Sequence, residues 1–270
     1  MAGSPSIAGA TLDHVALAVE RWADAWPRYA VDLGGEWASG GQGPGFAPSQ
    51  LRFANGAKLE LIAPHRVEDN DFLRRYLDRH GPGPHHLTYK VADLAGALDA
   101  VRDAGFHPVG VDVSDRTWKE AFLHPAEACG VVVQLAQPSG AGWKTPAPAG
   151  FPTARAEPAS LTHVAHAVAD LGAARRLFAD VLGGEPVDSD GGSVELAWPD
   201  AALRVRLVTP NVRNELDGRP GRVEHLAFDC PNPSGVPGAV DIGGDIDGER
   251  HEVPPDMAGG VRLVLRSCHH

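Results

Sequence analysis

One short pattern occurs four times in this chain, and it constrains the fold more than any other feature. LDHVALAV (Leu12 to Val19), HHLTYKV (His85 to Val91), THVAHAV (Thr162 to Val168) and EHLAFDC (Glu224 to Cys230) each read as an alternating strand with a histidine near its start. Amphipathic stretches follow three of them, RWADAWPRYAVDL, DLAGALDAVRDAGF and DLGAARRLFADVL, with apolar residues near i, i+3, i+4 and i+7. The fourth runs instead into PNPSGVPGAV, too rich in Pro and Gly for a comparable helix. Each repeat closes on another strand: AKLELIAP (Ala57 to Pro64), GVVVQLAQ (Gly130 to Gln137), ALRVRLVTP (Ala202 to Pro210) and GVRLVLRS (Gly260 to Ser267). A unit of this size cannot bury its own apolar face, so units must pair. The expectation is four βαβββ units, the fourth abridged, paired into two domains.

Between Pro138 and Ser160 the chain reads PSGAGWKTPAPAGFPTARAEPAS, with neither helical nor strand period. Domains over residues 8–138 and 160–268, joined by a Pro/Ala/Gly-rich linker over 139–159, are therefore expected. The 270 residues suit two domains of roughly 130 each. A composition of 43% hydrophobic and 22% charged residues is that of a globular protein. The net charge of -11 tells against nucleic acid and against an anionic membrane surface, both of which need a basic field. A small molecule is the expected partner.

The opening MAGSPSIAGA lacks a charged, long-apolar leader, and no run approaches the ~18 apolar residues of a membrane span. A soluble, cytoplasmic protein is expected. Cys129, Cys230 and Cys268 form no CxxC pair, so neither a disulfide scaffold nor a thiolate zinc site is implied. The terminal Cys268, His269 and His270 read as a frayed end.

Side chains alternate along a strand, which separates a helix-facing set from the opposite set. Val15, Leu17 and Val19 lie together, leaving His14 on the other face with Ala16 and Ala18. The same parity places Glu60, His86 and Gln134 opposite the helices. A curved sheet with helices outside would turn that face into a cavity. A solvated strand face is the alternative for any one of these residues. Two His at matching places in successive repeats, with Glu and Gln at the matching closing places, argue against it jointly.

At these residues the sequence resembles the vicinal oxygen chelate superfamily, which includes glyoxalase I, methylmalonyl-CoA epimerase, extradiol dioxygenases and fosfomycin-resistance proteins. LDHVALAV, AKLELIAP, FLRRYLDRHGPGPHHLTYKV and FLHPAEACGVVVQL are most similar to the epimerase and glyoxalase branch, over about residues 10–138. The resemblance implies an α+β fold of tandem domains with curved, mostly antiparallel sheets. It also implies one divalent metal ion, Fe, Mn, Co, Ni or Zn, held by His14, Glu60, His86 and Gln134. Two imidazoles and a carboxylate suit any of these ions, and a weak amide leaves positions open for water or substrate. The ion would stabilise an enolate or alkoxide beside a carbonyl.

Gln134 departs from the Glu common at that place in this branch, and an amide takes no proton at neutral pH. Proton transfer then falls to Glu60, or to Glu120 or His124, which by parity flank the same cavity; a turn near Pro125 would point the last two at solvent. Gln50, Arg52 and Lys90 are candidates to orient substrate, with a solvated strand edge as their alternative.

In the second domain Arg206 stands where Glu60 does and Val264 where Gln134 does, while His163 and His225 remain. Arginine cannot ligate a metal, so no strong metal site is expected there. Arg204, Arg206, Arg262 and Arg266, with Asp229 and Glu195 near them, read either as an anion pocket or as a salt-bridged face, the latter favoured. His166 faces the helix side, which favours a structural role. Three functions follow: a metal-dependent lyase or isomerase of epimerase type, an Fe(II) dioxygenase, or a non-catalytic binder of a drug or metabolite. Whether the halves pair with each other or with a second copy, as a homodimer, stays open at this level.

Overall fold

The computed structural model describes residues 6–140, 145–155, 157–210, 215–245 and 248–267. The first half holds β1 (Thr11–Ala18), α1 (Trp22–Trp26), β2 (Glu36–Gly40), β3 (Gly45–Arg52), β4 (Lys58–His65), α2 (Phe72–His80), β5 (Gly83–Lys90), α3 (Leu94–Asp103), β6 (Val109–Asp112), β7 (Trp118–Leu123) and β8 (Val132–Pro138). The second holds β9 (Ser160–Val168), α4 (Leu171–Arg175), β10 (Glu185–Asp190), β11 (Ser193–Ala197), β12 (Arg204–Val208), β13 (Gly221–Cys230), β14 (Val240–Asp245), β15 (Gly248–Val253) and β16 (Arg262–Ser267). Each half makes one eight-stranded sheet. The orders are β2-β3-β4-β1-β5-β8-β7-β6 and β10-β11-β12-β9-β13-β16-β15-β14, the same path walked twice. This is the tandem α+β architecture that the four repeats predict.

Within a repeat the chain leaves its first strand through a crossover and returns by antiparallel hairpins, so its closing strand lies parallel to the first. The pairs β5 with β8, β9 with β12 and β13 with β16 are parallel. Antiparallel ladders flank them, β2-β3-β4 and β6-β7-β8 in the first sheet. The sheets are therefore mixed. That parallel pair is what sets first-strand and last-strand side chains of one repeat beside each other.

The three amphipathic stretches fold as helices. Asp93 caps α3 and Asp170 caps α4 through their side chains, satisfying N–H groups that the first helical turn leaves open. After β13 a short 3-10 turn, Pro233–Gly235, stands in place of a helix.

Helix α2 was not expected. Its Leu73 and Leu77, one turn apart, pack on Ala18 and Ile62, with Phe46, Phe72 and Tyr76 around them. Alternation sets Ala18 with His14 and Ile62 with Glu60, so α2 covers part of the face that parity assigned as free of helices. The sequence signal was present in FLRRYLDRH, but its mean hydropathy is low and its apolar stripe is narrow.

Backbone proximity groups the chain into two compact units that do not coincide with the two sheets: residues 1–14, 86–142 and 163–224, and residues 15–85, 143–162 and 225–270. In the first unit Gly130 and Gly221 meet backbone to backbone: a Cβ on Gly130, at φ +89°, would fall 1.9 Å from the Gly221 carbonyl oxygen. His166 donates to the Cys129 carbonyl beside that contact, at 2.7 Å. In the second unit the same kind of approach joins Gly260 to Pro82, and the Tyr29 hydroxyl donates to the Ala258 carbonyl at 2.7 Å. Each unit thus joins one repeat of the first half to one of the second, burying the faces that no single repeat can cover.

The expected linker is docked rather than free where it is described. Trp37 donates to the Thr145 carbonyl at 2.8 Å, and the Phe151 ring meets Trp26 and Trp37 edge-on at 5.4 and 5.6 Å. Cys268, His269 and His270 lie outside the described residues.

Candidate functional site

The centre of the first sheet brings together β4, β1 and β5, and with them the three residues that alternation placed on one face. One ligand atom from each of His14, Glu60 and His86 lies within 4.8 Å of the others, and all three residues are buried, at 1%, 8% and 7% exposure. The two imidazole rings meet edge-on with centroids 5.8 Å apart. Removing a carboxylate from water is costly unless positive charge or several donors compensate it. Glu60 has the Gln50 amide, which donates to Oε1 at 3.2 Å from the directly opposed position on β3. Two imidazoles and one buried carboxylate form a donor set that fits a divalent cation, by the chemistry of the donors themselves.

Thr88 links this cluster to Gln134. Its hydroxyl lies 2.9 Å from His14 Nε2 and donates to Gln134 Oε1 at 2.5 Å, from the position opposite Gln134 in the parallel β5-β8 ladder. The Gln134 amide then donates to Glu120 Oε2 at 2.7 Å, and Trp118 Nε1 donates to the same oxygen at 2.7 Å. On the other side of His14, Nδ1 stands 2.9 Å from Asp13 Oδ2, while Asp13 Oδ1 takes the Lys90 ammonium at 2.8 Å. A continuous polar path therefore runs Lys90, Asp13, His14, Thr88, Gln134, Glu120, Trp118.

The remaining candidates separate clearly. Glu120 sits on this path, and Gln50 touches Glu60. Lys90 is engaged with Asp13. Arg52 lies on the exposed rim, 3.4 Å from Glu36, with more than half of its side chain in solvent. His124 is exposed beyond the end of β7, where Nδ1 accepts the Ala126 N–H at 3.2 Å and caps the turn that Pro125 begins. The turn carries its ring away from the strand alternation that made it a candidate. Asp13, Thr88 and Trp118 were missed. Thr88 shares the parity of His86 and Trp118 that of Glu120, so the signal existed for both; Asp13 has the opposite parity to His14 and reaches it only by the bend of its side chain.

In the second sheet each of the four arginines has a carboxylate neighbour: Arg204 with Glu195 at 2.9 Å, and Arg206 with Asp190, Arg262 with Glu252 and Arg266 with Asp229 at 3.6 Å. His166 is fully buried, and desolvation pushes its imidazole down to about 4 against a partly offsetting bond to the Cys129 carbonyl. Among the described residues no helix is long and apolar enough to cross a membrane.

Residues 13–122 match the Glyoxalase/Bleomycin resistance protein/Dioxygenase superfamily. A stretch of 131 residues, 47% of this chain, is 28% identical to the ethylmalonyl-CoA/methylmalonyl-CoA epimerase of Cereibacter sphaeroides and spans 96% of that protein. The two-sheet fold is shared along nearly the whole chain with a solved hypothetical protein from Staphylococcus aureus, at 10% identity and a TM-score of 0.60, covering 96% of this chain and all of that one. It is shared equally with a xylose isomerase-like TIM barrel/4-hydroxyphenylpyruvate dioxygenase fusion protein, at 16% identity and a TM-score of 0.61, covering all of this chain and 51% of that one.

Proposed function

We propose, on the premise that residues 13–122 form a glyoxalase/bleomycin resistance/dioxygenase superfamily domain, that this protein is a metal-dependent isomerase or lyase of epimerase type. Its substrate would be a small oxygenated compound with an acidic C–H beside a carbonyl. The observation that carries the reading is the buried convergence of His14, Glu60 and His86 to within 4.8 Å. The likeness to an ethylmalonyl-CoA/methylmalonyl-CoA epimerase makes an acyl-CoA with a branched, carboxylated acyl group the first substrate to try.

His14, Glu60 and His86 would hold the ion, with the Gln134 amide as a weak fourth group. Bound there, a divalent cation supplies Lewis acidity toward a carbonyl oxygen. The protein's own residues handle the proton. Gln134 cannot accept one, and the nearest carboxylate along the hydrogen-bonded path is Glu120, one strand further out on β7. Donation from Gln134 and Trp118 to Oε2 holds the Glu120 carboxylate in one orientation and leaves Oε1 to take the proton from the substrate carbon. Gln50 keeps Glu60 aimed at the two histidines.

The test is wash-in of solvent deuterium at the substrate α-carbon, followed by mass spectrometry, with methylmalonyl-CoA as probe. Metal-loaded protein should exchange, and chelator-stripped protein should not. Glu60→Ala should lose both metal and exchange. Glu120→Gln should keep its metal and lose about 100-fold or more in rate, the usual scale for a general base. Full exchange by stripped protein would sink the metal-dependent reading, and full exchange by Glu120→Gln would remove Glu120 as the base. Oxygen uptake with a catechol under Fe(II), in place of exchange, would move the assignment to a dioxygenase.

A further inference from the structure

We infer that Asp13, anchored by Lys90, is a positioning residue that fixes the ring of His14 in the form that presents Nε2 to the cluster. The inference rests on the reading of His14 as a metal ligand, and adds to it a pair of residues on the far side of the ring.

A carboxylate in contact with Lys90 is an acceptor, so the 2.9 Å contact between Asp13 Oδ2 and His14 Nδ1 requires the hydrogen on Nδ1. In a neutral imidazole the lone pair is then on Nε2. Nε2 faces Thr88, whose hydroxyl has a single hydrogen for two neighbours, His14 Nε2 at 2.9 Å and Gln134 Oε1 at 2.5 Å. A cation taking the Nε2 lone pair would leave that hydrogen wholly to Gln134, so the network is satisfied best with the ring oriented by Asp13. Both partners are mostly enclosed: the His14 side chain is 2% exposed and the Asp13 side chain 10%. The Lys90 stem reaches outward, with 34% of the side chain in solvent, and its ammonium holds Asp13 Oδ1 at 2.8 Å. Two charge-assisted contacts on one carboxylate leave it little rotational freedom.

The second half of the chain supplies an internal comparison. Thr162 precedes His163 where Asp13 precedes His14, and Asp229 stands four residues after His225 where Lys90 stands four after His86. There Thr162 donates to the Ala227 carbonyl at 3.2 Å and Asp229 faces Arg266. The Asp–Lys pair is missing from the same sheet that carries Arg206 in place of Glu60, so the pair and the chelating set occur together.

The experiment has two arms. Nitrogen-15 spectra of histidine-labelled, metal-free protein report which ring nitrogen of His14 carries hydrogen, with His14→Gln to assign the signal. The wild type should show the Nδ1–H form, and Asp13→Ala should lose that preference while Asp13→Asn, which keeps an acceptor, retains most of it. In the second arm, Zn(II) affinity measured by competition with a chromogenic chelator should fall about 10- to 100-fold in Asp13→Ala, the usual range for removal of a carboxylate behind a ligating histidine. Lys90→Met, at a position with 34% of the side chain in solvent, should weaken Zn(II) a few-fold. An unchanged His14 spectrum in Asp13→Ala overturns the inference. If the wild type and His14→Gln take up Zn(II) equally, the metal reading falls, and the spectra still decide the role of Asp13.

Discussion

His163 and His225 repeat His14 and His86, yet their neighbours differ as a group. By register Gln134 lies opposite Thr88 and Phe122, and Val264 lies opposite Ala227 and Glu252, so Thr88 corresponds to Ala227 and Glu120 to Arg250. At the places that match Glu60, Thr88, Gln134, Glu120 and Asp13 the second half carries Arg206, Ala227, Val264, Arg250 and Thr162. His166, in contrast, serves stability. Its folded value of about 4 lies below the ordinary 6.5, so the unfolded chain binds the proton more readily. Its contribution is full above the unfolded value and is lost as pH falls from about 6.5 toward 4. Urea unfolding should therefore show that wild type loses about 2 kcal/mol more than His166→Leu between pH 7 and pH 4.5. Equal losses would show that the ring does not stay neutral when buried. The shared face of His14, Glu60, His86 and Gln134 could be read from residue parity, because alternation on a strand is local. Asp13 could not: its parity puts it opposite His14, and its contact arises from the bend of a carboxylate around the strand toward Lys90 on the neighbouring strand.

Elements followed the local signals where the amphipathic stretch was long, as in the helical residues 22–32, 94–103 and 171–181. Helix α2 escaped because two leucines one turn apart on a charged nine-residue segment form a stripe that becomes stable against Ala18 and Ile62, not by itself. Turn and junction glycines divide in the same way. Gly56 at φ +87° and Gly130 at φ +89° look alike in the chain, but a Cβ on Gly56 meets nothing within 4 Å while one on Gly130 would strike the Gly221 carbonyl. Gly56→Ala should cost about 1 kcal/mol, the ordinary cost of a left-handed residue. Gly130→Ala should cost about 4 kcal/mol or more, since a backbone contact must separate. Denaturant titration of the two variants checks this; equal losses would mean that the junction yields readily.

At the scale of the molecule, the two compact units each draw on both halves of the chain, and the segment between the halves is itself built into one of them. Phe151 packs between Trp26 and Trp37, partly exposed. Phe151→Ala should cost about 2 kcal/mol, less than a fully buried phenylalanine, and should speed proteolytic cutting within residues 145–155. Unchanged cutting would mean that the hydrogen bonds of Thr145 and Arg155 alone hold the strap. The sequence by itself determined the four repeats, the two sheets, the shortened fourth unit and which face carries His14, Glu60, His86 and Gln134, because periodicity and strand alternation are properties of neighbouring residues. Tertiary structure alone decided that α2 covers part of that face, that Lys90 grips Asp13 while His124 caps a turn, and which repeats share a backbone junction. Those outcomes depend on distances between segments tens of residues apart, and no local pattern encodes a distance.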